Sequence, residues 1–440
     1  MKNLSLYLHI PFCVRKCRYC DFLSGPADEA ARQRYAKALC REIRAAGEFC
    51  GGKGDSAAIG LQGDLSDTGF QDGLRSQQND PASFVWDGKV RNVTTVYLGG
   101  GTPSVLTPVQ IRKILDTVRE CFSLEENAEI TMEINPGTVT EEALRSLRAA
   151  GINRLSVGVQ SFRDDELKLL GRIHTAEEAK NVMRAARRAG FSNLSLDLIS
   201  ALPGQKLEDF IFNLEEATAL RPEHISVYSL ILEEGTPLAR MAQEGQLPPL
   251  PGDELDREMY HETAKILARH GYHRYEISNY AIDGFESRHN SGYWTGREYL
   301  GLGLGASSYF GGVRFRGTAS MGEYLGYYGE KDLSSVKAEG TDFSSISQEG
   351  TVFADAPREE MEQLSEENRM AEFMFLGLRM MRGVSENEFL ERFGASMEDI
   401  YGKVLQRHLA AGVIERTDGR VFLTERGIDV SNAVMADYLL

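Results

Sequence analysis

Short apolar segments alternate with amphipathic stretches through the first half of the chain. The apolar segments lie at 4–10, 93–101, 128–136, 152–160, 193–200 and 224–231. Between them, apolar residues recur with the period of a helix face, as in PVQIRKILDTVRECF and TAEEAKNVMRAARRAG. Repeated strand–helix units of this kind predict an α/β fold with a parallel sheet and helices outside it.

Polar and glycine residues predict where these helices begin and end. Thr140 and Thr175 stand just before pairs of acidic residues, which is the pattern of a helix N-cap. Two amphipathic segments end in glycine, as helix C-termini commonly do. Six units form either a doubly wound sheet or the arc of a barrel. Polar residues follow nearly every strand, where barrels carry their chemistry, and this favours a partial TIM-type (β/α)6 barrel.

The rest of the chain indicates further divisions. Residues 1–235 hold the six units, and residues 51–90, rich in Gly, Asp, Gln and Ser, predict a surface insertion among them. Residues 236–329 form an extension associated with the barrel. Residues 330–368 are acidic and Ser-rich, which predicts a linker or insertion. Residues 369–440 read as helix, hairpin around TDGR, and helix, so we expect a small α+β winged-helix-like C-terminal domain.

Charge and hydropathy narrow the choice of partner and compartment. Lys and Arg number 49 and Asp and Glu number 65, so the net charge is −16. Such a chain repels phosphate backbones, and we expect no nucleic-acid partner. No stretch of about 18 or more apolar residues occurs, which predicts no transmembrane helix. The N-terminus lacks a small-residue cleavage site, so we expect no signal peptide and a cytoplasmic protein.

Three of the six cysteines are clustered, in the pattern C-x3-C-x2-C at Cys13, Cys17 and Cys20. In a reducing cytosol such a cluster indicates a metal or catalytic site. Three thiolates on one loop can hold three irons of a [4Fe–4S] cluster and leave the fourth iron open to a small molecule. The alternative is zinc with His9 as a fourth ligand, because structural zinc normally takes four.

The segment YLHIPFCVRKCRYCDF resembles the radical S-adenosylmethionine (SAM) superfamily, in its coproporphyrinogen III oxidase-like branch. The segments LGGGTPS, MEINP, GVQSF, LDLISALPGQ and EEGTPL follow in the order and spacing of that branch. The resemblance implies a radical SAM barrel with a [4Fe–4S] cluster on Cys13, Cys17 and Cys20, and SAM on its open iron. The SAM contacts that it implies are Tyr7, Tyr19, Gly100, Gly101, Thr102, Glu133, Gln160, Arg172, Asp197 and Ser229.

Two functions occur in that branch. One is oxygen-independent coproporphyrinogen III oxidation, a radical decarboxylation in porphyrin biosynthesis. That group typically carries another cysteine two residues after the third, where this chain has Phe22, and a longer extension before the cluster. Both departures favour the other function, that of a haem chaperone.

The segment RHNSGYW resembles the HNxxYW signature of the haem chaperones. His289 is the candidate axial ligand, because imidazole is an ordinary haem ligand. Asn290 is placed to orient that imidazole, and Tyr293 and Trp294 offer flat faces to a porphyrin. The alternative for His289 is a hydrogen-bonded histidine in a loop.

We therefore expect a chaperone that binds haem and a SAM-coordinated [4Fe–4S] cluster and passes haem to a haem-requiring acceptor protein. The alternative is the oxidase, so whether the chain is an enzyme stays open. The resemblance also implies homodimerisation and a membrane-associated acceptor.

Overall fold

The structure is a computed structural model that describes residues 2–51, 91–329, 353 and 355–439. The insertion predicted at 51–90 lies outside the described residues except for Gly51. The same holds for most of the linker predicted at 330–368, up to residue 352.

All six predicted strands are present and form the parallel part of one sheet. They are β1 (Lys2–Ile10), β2 (Arg91–Gly100), β3 (Ser123–Ile134), β4 (Arg154–Gln160), β5 (Leu194–Ser200) and β6 (His224–Ser229). Each strand pairs in parallel with the next along the chain, as in β1 with β2 and β5 with β6. The partial (β/α)6 barrel is thereby confirmed.

Helices connect and follow these strands. They are α1 (Glu29–Phe49), α2 (Pro108–Cys121), α3 (Glu141–Ala150), α4 (Asp164–Leu170), α5 (Ala176–Arg188), α6 (Leu207–Ala219), α7 (Pro237–Gln243) and α8 (Asp253–Arg269). The predicted caps are confirmed, since the Thr140 side chain accepts from the Ala143 N–H and Thr175 forms a capping box with Glu178. The α3 helix ends at Gly151, whose φ of +104° is left-handed.

Further strands extend both edges of the sheet. The elements are β7 (His273–Glu276), β8 (Asn279–Ala281), α9 (Arg288–Trp294), β9 (Glu298–Leu302), β10 (Ser307–Phe310), β11 (Val313–Gly317), α10 (Met321–Tyr328) and β12 (Arg358–Gln363). The described strands run in the order β12-β11-β10-β9-β1-β2-β3-β4-β5-β6-β8-β7. The β9 strand joins β1 in parallel, so the α9–β9 segment is part of the barrel wall.

The β12 strand corrects the prediction of a linker throughout 330–368. Residues 358–363 pair with β11 in antiparallel register, from Val313↔Gln363 to Gly317↔Arg358. Nearly all side chains of this strand are exposed and charged or polar, so the segment carries no apolar alternation. Charged side chains are usual on a sheet edge, where they discourage pairing with another chain. The composition of residues 358–363 is therefore like that of a linker, although the segment forms an edge strand.

The C-terminal residues form a smaller unit with its own apolar core. Its elements are α11 (Glu366–Gly377), β13 (Val384–Ser385), α12 (Glu386–Phe393), α13 (Met397–Ala410), β14 (Ile414–Thr417), β15 (Arg420–Leu423), α14 (Glu425–Asp429) and α15 (Ser431–Ala436). The predicted hairpin is confirmed, with Thr417 opposite Arg420 and left-handed φ angles at Asp418 and Gly419. Its strands order as β13-β15-β14, and helices pack on this small sheet as in a winged helix.

Among the described helices, none combines the length and the apolar composition needed to cross a membrane.

Candidate functional site

A cavity of about 390 Å³ opens where the carboxyl ends of the barrel strands meet the cysteine loop. Cys13, Cys17 and Cys20 all line it. So do nine of the ten predicted SAM contacts, which are Tyr19, Gly100, Gly101, Thr102, Glu133, Gln160, Arg172, Asp197 and Ser229. The fold thus brings together residues that span more than 200 positions of the chain.

Hydrogen bonds hold the cysteine loop against the barrel. The Cys13 N–H donates to the Gly25 carbonyl at 2.9 Å, and the Thr102 N–H donates to the Phe12 carbonyl at 2.7 Å. Two side chains also approach the sulfur atoms, with Thr102 Oγ1 3.5 Å from Cys13 Sγ and Arg172 Nη1 3.6 Å from Cys17 Sγ. Donors of this kind stabilise thiolates that bind metal. Three thiols on one wall, two of them supported by donors, fit a [4Fe–4S] cluster.

His9 does not join the cysteines as a fourth zinc ligand. Its Nδ1 accepts from the Tyr7 hydroxyl at 3.1 Å, and its Nε2 donates to the Leu23 carbonyl at 3.0 Å. Within the described part of the chain, no three His, Cys, Asp or Glu side chains are arranged to hold a single metal ion.

The β2 strand ends in a turn at Gly100 and Gly101, where a larger residue would not fit. Gly100 has a φ of +108°, and a Cβ there would lie 2.4 Å from the His9 imidazole. At Gly101 a Cβ would lie 2.6 Å from the Phe12 carbonyl oxygen. The chain therefore passes close to the cysteine loop at this turn and exposes backbone polar groups to the cavity. Such groups suit the amino and carboxylate groups of SAM.

Two buried carboxyl groups face the cavity from β3 and β5. Burial, reinforced by the charge of Asp197, raises the pKa of Glu133 to about 7, although the Tyr97 hydroxyl donates to it at 2.9 Å. Burial also raises the pKa of Asp197, which accepts from the Ser156 hydroxyl at 3.2 Å. Two buried carboxyls with raised pKa values are suited to a cationic ligand, which would favour their charged forms. SAM carries such a charge on its sulfonium.

The structure adds residues that the sequence analysis missed. Asn135 lies within the MEINP segment, donates to Thr102 Oγ1 at 2.7 Å and accepts from Arg172 Nη2 at 2.6 Å. It therefore links two side chains that contact the cysteines. Arg154 lines the floor of the cavity, is 2% exposed, and its Nε has no hydrogen-bond partner among the described residues. In the sequence of β4, polar residues at alternate positions were the signal that one face of the strand lines the cavity.

Tyr7 is the one predicted SAM contact that the cavity does not include. Its ring stacks on Tyr97, with centroids 6.2 Å apart, and its hydroxyl donates to His9. Tyr7 lines a neighbouring groove instead. Its contact with SAM stays a prediction.

His289 is a buried, hydrogen-bonded histidine in this structure, and its role as an axial haem ligand stays a prediction. The side chain is 1% exposed; Nδ1 lies 2.8 Å from Thr95 Oγ1 and Nε2 lies 2.9 Å from the Tyr293 hydroxyl. The imidazole also stacks on Tyr97. Burial, with the charges of two nearby arginines, lowers its pKa to about 3, so it stays neutral.

The other motif residues point to three different places. Asn290 lines the cluster cavity and, contrary to the prediction, does not bond to the imidazole of His289. Trp294 packs in a small apolar cluster with Met380, beneath the Arg379 guanidinium at 4.3 Å, so it joins the barrel to the C-terminal unit. Tyr293 lines the same groove as Tyr7. The side chains of a seven-residue helix point in all directions around its axis, so the residues of this motif lie in different surroundings.

The barrel and its cysteine-lined cavity define a protein of the radical SAM class. The profile described as the Radical SAM superfamily matches residues 70–217, and that of the HemN C-terminal domain matches residues 364–430. The solved structure of coproporphyrinogen III oxidase (HemN) from Escherichia coli has the same fold, with a TM-score of 0.73 at 22% identity. It covers 100% of this chain and 90% of that one.

Sequence relatives identify the branch. The heme chaperone HemW of Lactococcus lactis is 32% identical over 439 residues, which are 100% of this chain and 98% of that protein. The heme chaperone HemW of Bacillus subtilis is 33% identical, and 99% of each chain is covered. The chain belongs to the HemW family of the radical SAM superfamily.

Proposed function

We propose that this protein binds haem and a SAM-coordinated [4Fe–4S] cluster and delivers the haem to a haem-requiring acceptor protein. Full-length similarity to proteins named heme chaperones supports this function. The observation that carries it against the oxidase is Phe22, which stands two residues after Cys20, where the oxidase group typically has another cysteine.

Each part of the cavity takes a role in this proposal. Cys13, Cys17 and Cys20 would hold a [4Fe–4S] cluster, which would supply an iron site for SAM and one-electron chemistry. Glu133 and Asp197, which line the cavity, contact the cationic ligand. The glycine turn at residues 99–101 meets its amino and carboxylate groups. The remaining proposed contacts are Tyr19, Thr102, Gln160, Arg172 and Ser229.

The compartment and the acceptor also belong to the proposal. We place the protein in the cytoplasm, because three half-buried free thiols are best preserved in a reducing compartment. A membrane-associated acceptor and a homodimer remain predictions from the family.

Haem transfer tests the function directly. We expect the anaerobically reconstituted protein to bind haemin with a new Soret band and to pass it to apomyoglobin, used as a general haem acceptor. With reductant, SAM and coproporphyrinogen III, we expect no protoporphyrinogen. Absence of haemin binding, or turnover of coproporphyrinogen that requires SAM, would show that the chaperone function is wrong.

The affinity for SAM should depend on pH through Glu133. Its pKa is about 7 in the free protein, and the cation binds the ionised form. Affinity should therefore rise with pH and level off above about 7, and at pH 6 it should be about tenfold weaker than on the plateau. We expect Glu133→Gln to flatten this profile in anaerobic equilibrium binding between pH 6 and 7.5. The exposed Glu142→Gln serves as the control, and an unchanged slope in Glu133→Gln would exclude Glu133 as the titrating group.

A further inference from the structure

The floor of the cluster cavity is made of residues to which the proposed function gives no role. It is the end of the cavity toward the amino ends of the strands, and Arg154, Ser195 and His224 line it. Through its pairing with β3, Arg154 is level with Tyr97, three residues before Gly100. At about 3.3 Å per residue, Arg154 therefore lies roughly 10 Å from the glycine turn, measured along the strands.

Arg154 is a buried cation that lacks a partner. Its side chain faces the cavity, the residue is 2% exposed, and its Nε has no hydrogen-bond partner among the described residues. Burial raises the pKa of Asp197, and the charge of Arg154 opposes this shift without a hydrogen bond between the two side chains. By contrast, the buried Arg91 forms an ion pair with Glu298 at 3.0 Å. A buried guanidinium without a partner is costly, so Arg154 indicates a missing anion.

The other side chains of the floor are neutral and already hydrogen-bonded. The Nδ1 of His224 lies 2.7 Å from Ser195 Oγ, and its Nε2 lies 2.8 Å from the Tyr275 hydroxyl. Burial, with the charge of Arg154, lowers the pKa of His224 well below its ordinary value, so the imidazole stays neutral. Among the described residues of the floor, Arg154 is therefore the group that would attract an anion.

The charges of the cavity are arranged in layers. Glu133 pairs in register with Ser156 and Asp197 with Gly158, so both acids lie between Arg154 and the rim. In the proposed function the carboxylate of SAM is at the glycine turn, on the far side of these acids. One SAM molecule has a single carboxylate and cannot place it at both ends of the cavity. The anion that Arg154 lacks therefore belongs to a different molecule.

We propose that Arg154 binds the carboxylate of a small organic acid, which lies on the floor of the cluster cavity beneath SAM. A planar guanidinium recognises a carboxylate through two parallel hydrogen bonds, which a spherical anion cannot form. The inference rests on the position of SAM in the proposed function, and it is independent of haem transfer.

Butyrate and butyramide test the charge requirement, because they have nearly the same shape and only butyrate is an anion. We expect saturation-transfer NMR of the full reconstituted chain with SAM to show saturable binding of butyrate, with butyramide at least about tenfold weaker. Arg154→Gln should weaken butyrate binding by at least about tenfold and leave SAM binding unchanged. The matched control is Arg145→Gln, at an exposed arginine on α3, which should bind butyrate as the wild type does.

Thermal unfolding gives a readout that a purely structural arginine would not produce. Because Arg154→Met removes a buried charge without a partner, it should raise the unfolding temperature of the ligand-free chain by about 1–2 °C. Butyrate should raise the unfolding temperature of the wild type and leave that of Arg154→Met unchanged. A structural ion pair or hydrogen bond at Arg154 would instead make Arg154→Met unfold at a lower temperature, and this result would overturn the proposal.

Other results would also decide against the small acid. Equal binding of butyrate and butyramide, or of butyrate to the wild type and Arg154→Gln, would overturn it. Loss of SAM binding in Arg154→Gln would mean that SAM itself supplies the anion, and displacement of butyrate by coproporphyrin III would assign the floor to a porphyrin. In all these cases the wild type still binds SAM and haem, so the proposed function would stand. A wild-type chain that binds neither would remove the proposed function itself.

Discussion

Cys13→Ala will leave the anaerobically reconstituted protein without its [4Fe–4S] cluster, and Cys17→Ala and Cys20→Ala will do the same. The reason is the ligand count, because these three are the only cysteines among the described residues that line the cavity. A cluster already open at one iron retains two protein ligands after any of these changes. Ligand binding energy at a metal site is also binding energy for the loop that carries it, so the loss should be close to complete.

The measurement is iron and sulfide content together with the visible absorption and the EPR spectrum of the reduced protein. The matched control is Cys121→Ala, since Cys121 is also a half-buried free thiol but lies at the end of α2. We expect this variant to reconstitute as the wild type does. A cysteine-loop variant with full iron and sulfide would mean that the cluster is held elsewhere, and the proposed function would lose its basis.

Gly100→Ala should both destabilise the fold and abolish SAM binding. The backbone at Gly100 has a φ of +108°, which an alanine adopts only with strain, and the new Cβ would lie 2.4 Å from the His9 ring. Backbone strain and overpacking together suggest a cost of about 2–5 kcal/mol. Relief would require the turn or His9 to move, and His9 is held on both ring nitrogens. Movement of the turn would disturb the wall that faces the ligand.

Gly137→Ala is the matched control for this change. Gly137 also has a positive φ, +83°, but no other atom lies within 4 Å of its Cβ position. It should cost only the backbone strain, about 1–2 kcal/mol, and leave SAM binding intact. Chemical denaturation and anaerobic SAM titration of both variants separate strain from contact. Equal stability of the two variants would show that the approach to His9 does not matter.

Local signals account for the part of the molecule that was predictable. The strands of the barrel are runs of buried apolar residues, and Thr140 and Thr175 cap their helices through hydrogen bonds to residues three positions away. The cysteines share one loop, so their proximity follows from their spacing alone. Nine of the ten SAM contacts that the resemblance implies line one cavity, because parallel strands place their carboxyl ends at the same edge.

The exceptions are residues whose surroundings come from distant parts of the chain. The β12 strand has no apolar alternation because both of its faces meet solvent. Tyr7 lines the groove beside the cluster cavity, and its ring stacks on Tyr97 of the neighbouring strand. The partners that occupy His289 are Thr95, nearly two hundred residues away, and Tyr293 on its own helix.

The sequence by itself determined the order of strands and helices in the barrel and the cysteine loop, because each depends on short-range periodicity or spacing, and the class of protein and its cluster were implied by the resemblance of its motifs to a known family. Only the tertiary structure decided which cavity each side chain enters and which polar groups already have partners. Those properties arise when strands and helices remote in sequence pack together. A motif such as RHNSGYW names the residues of a helix, and the packing around that helix determines what each of them can bind.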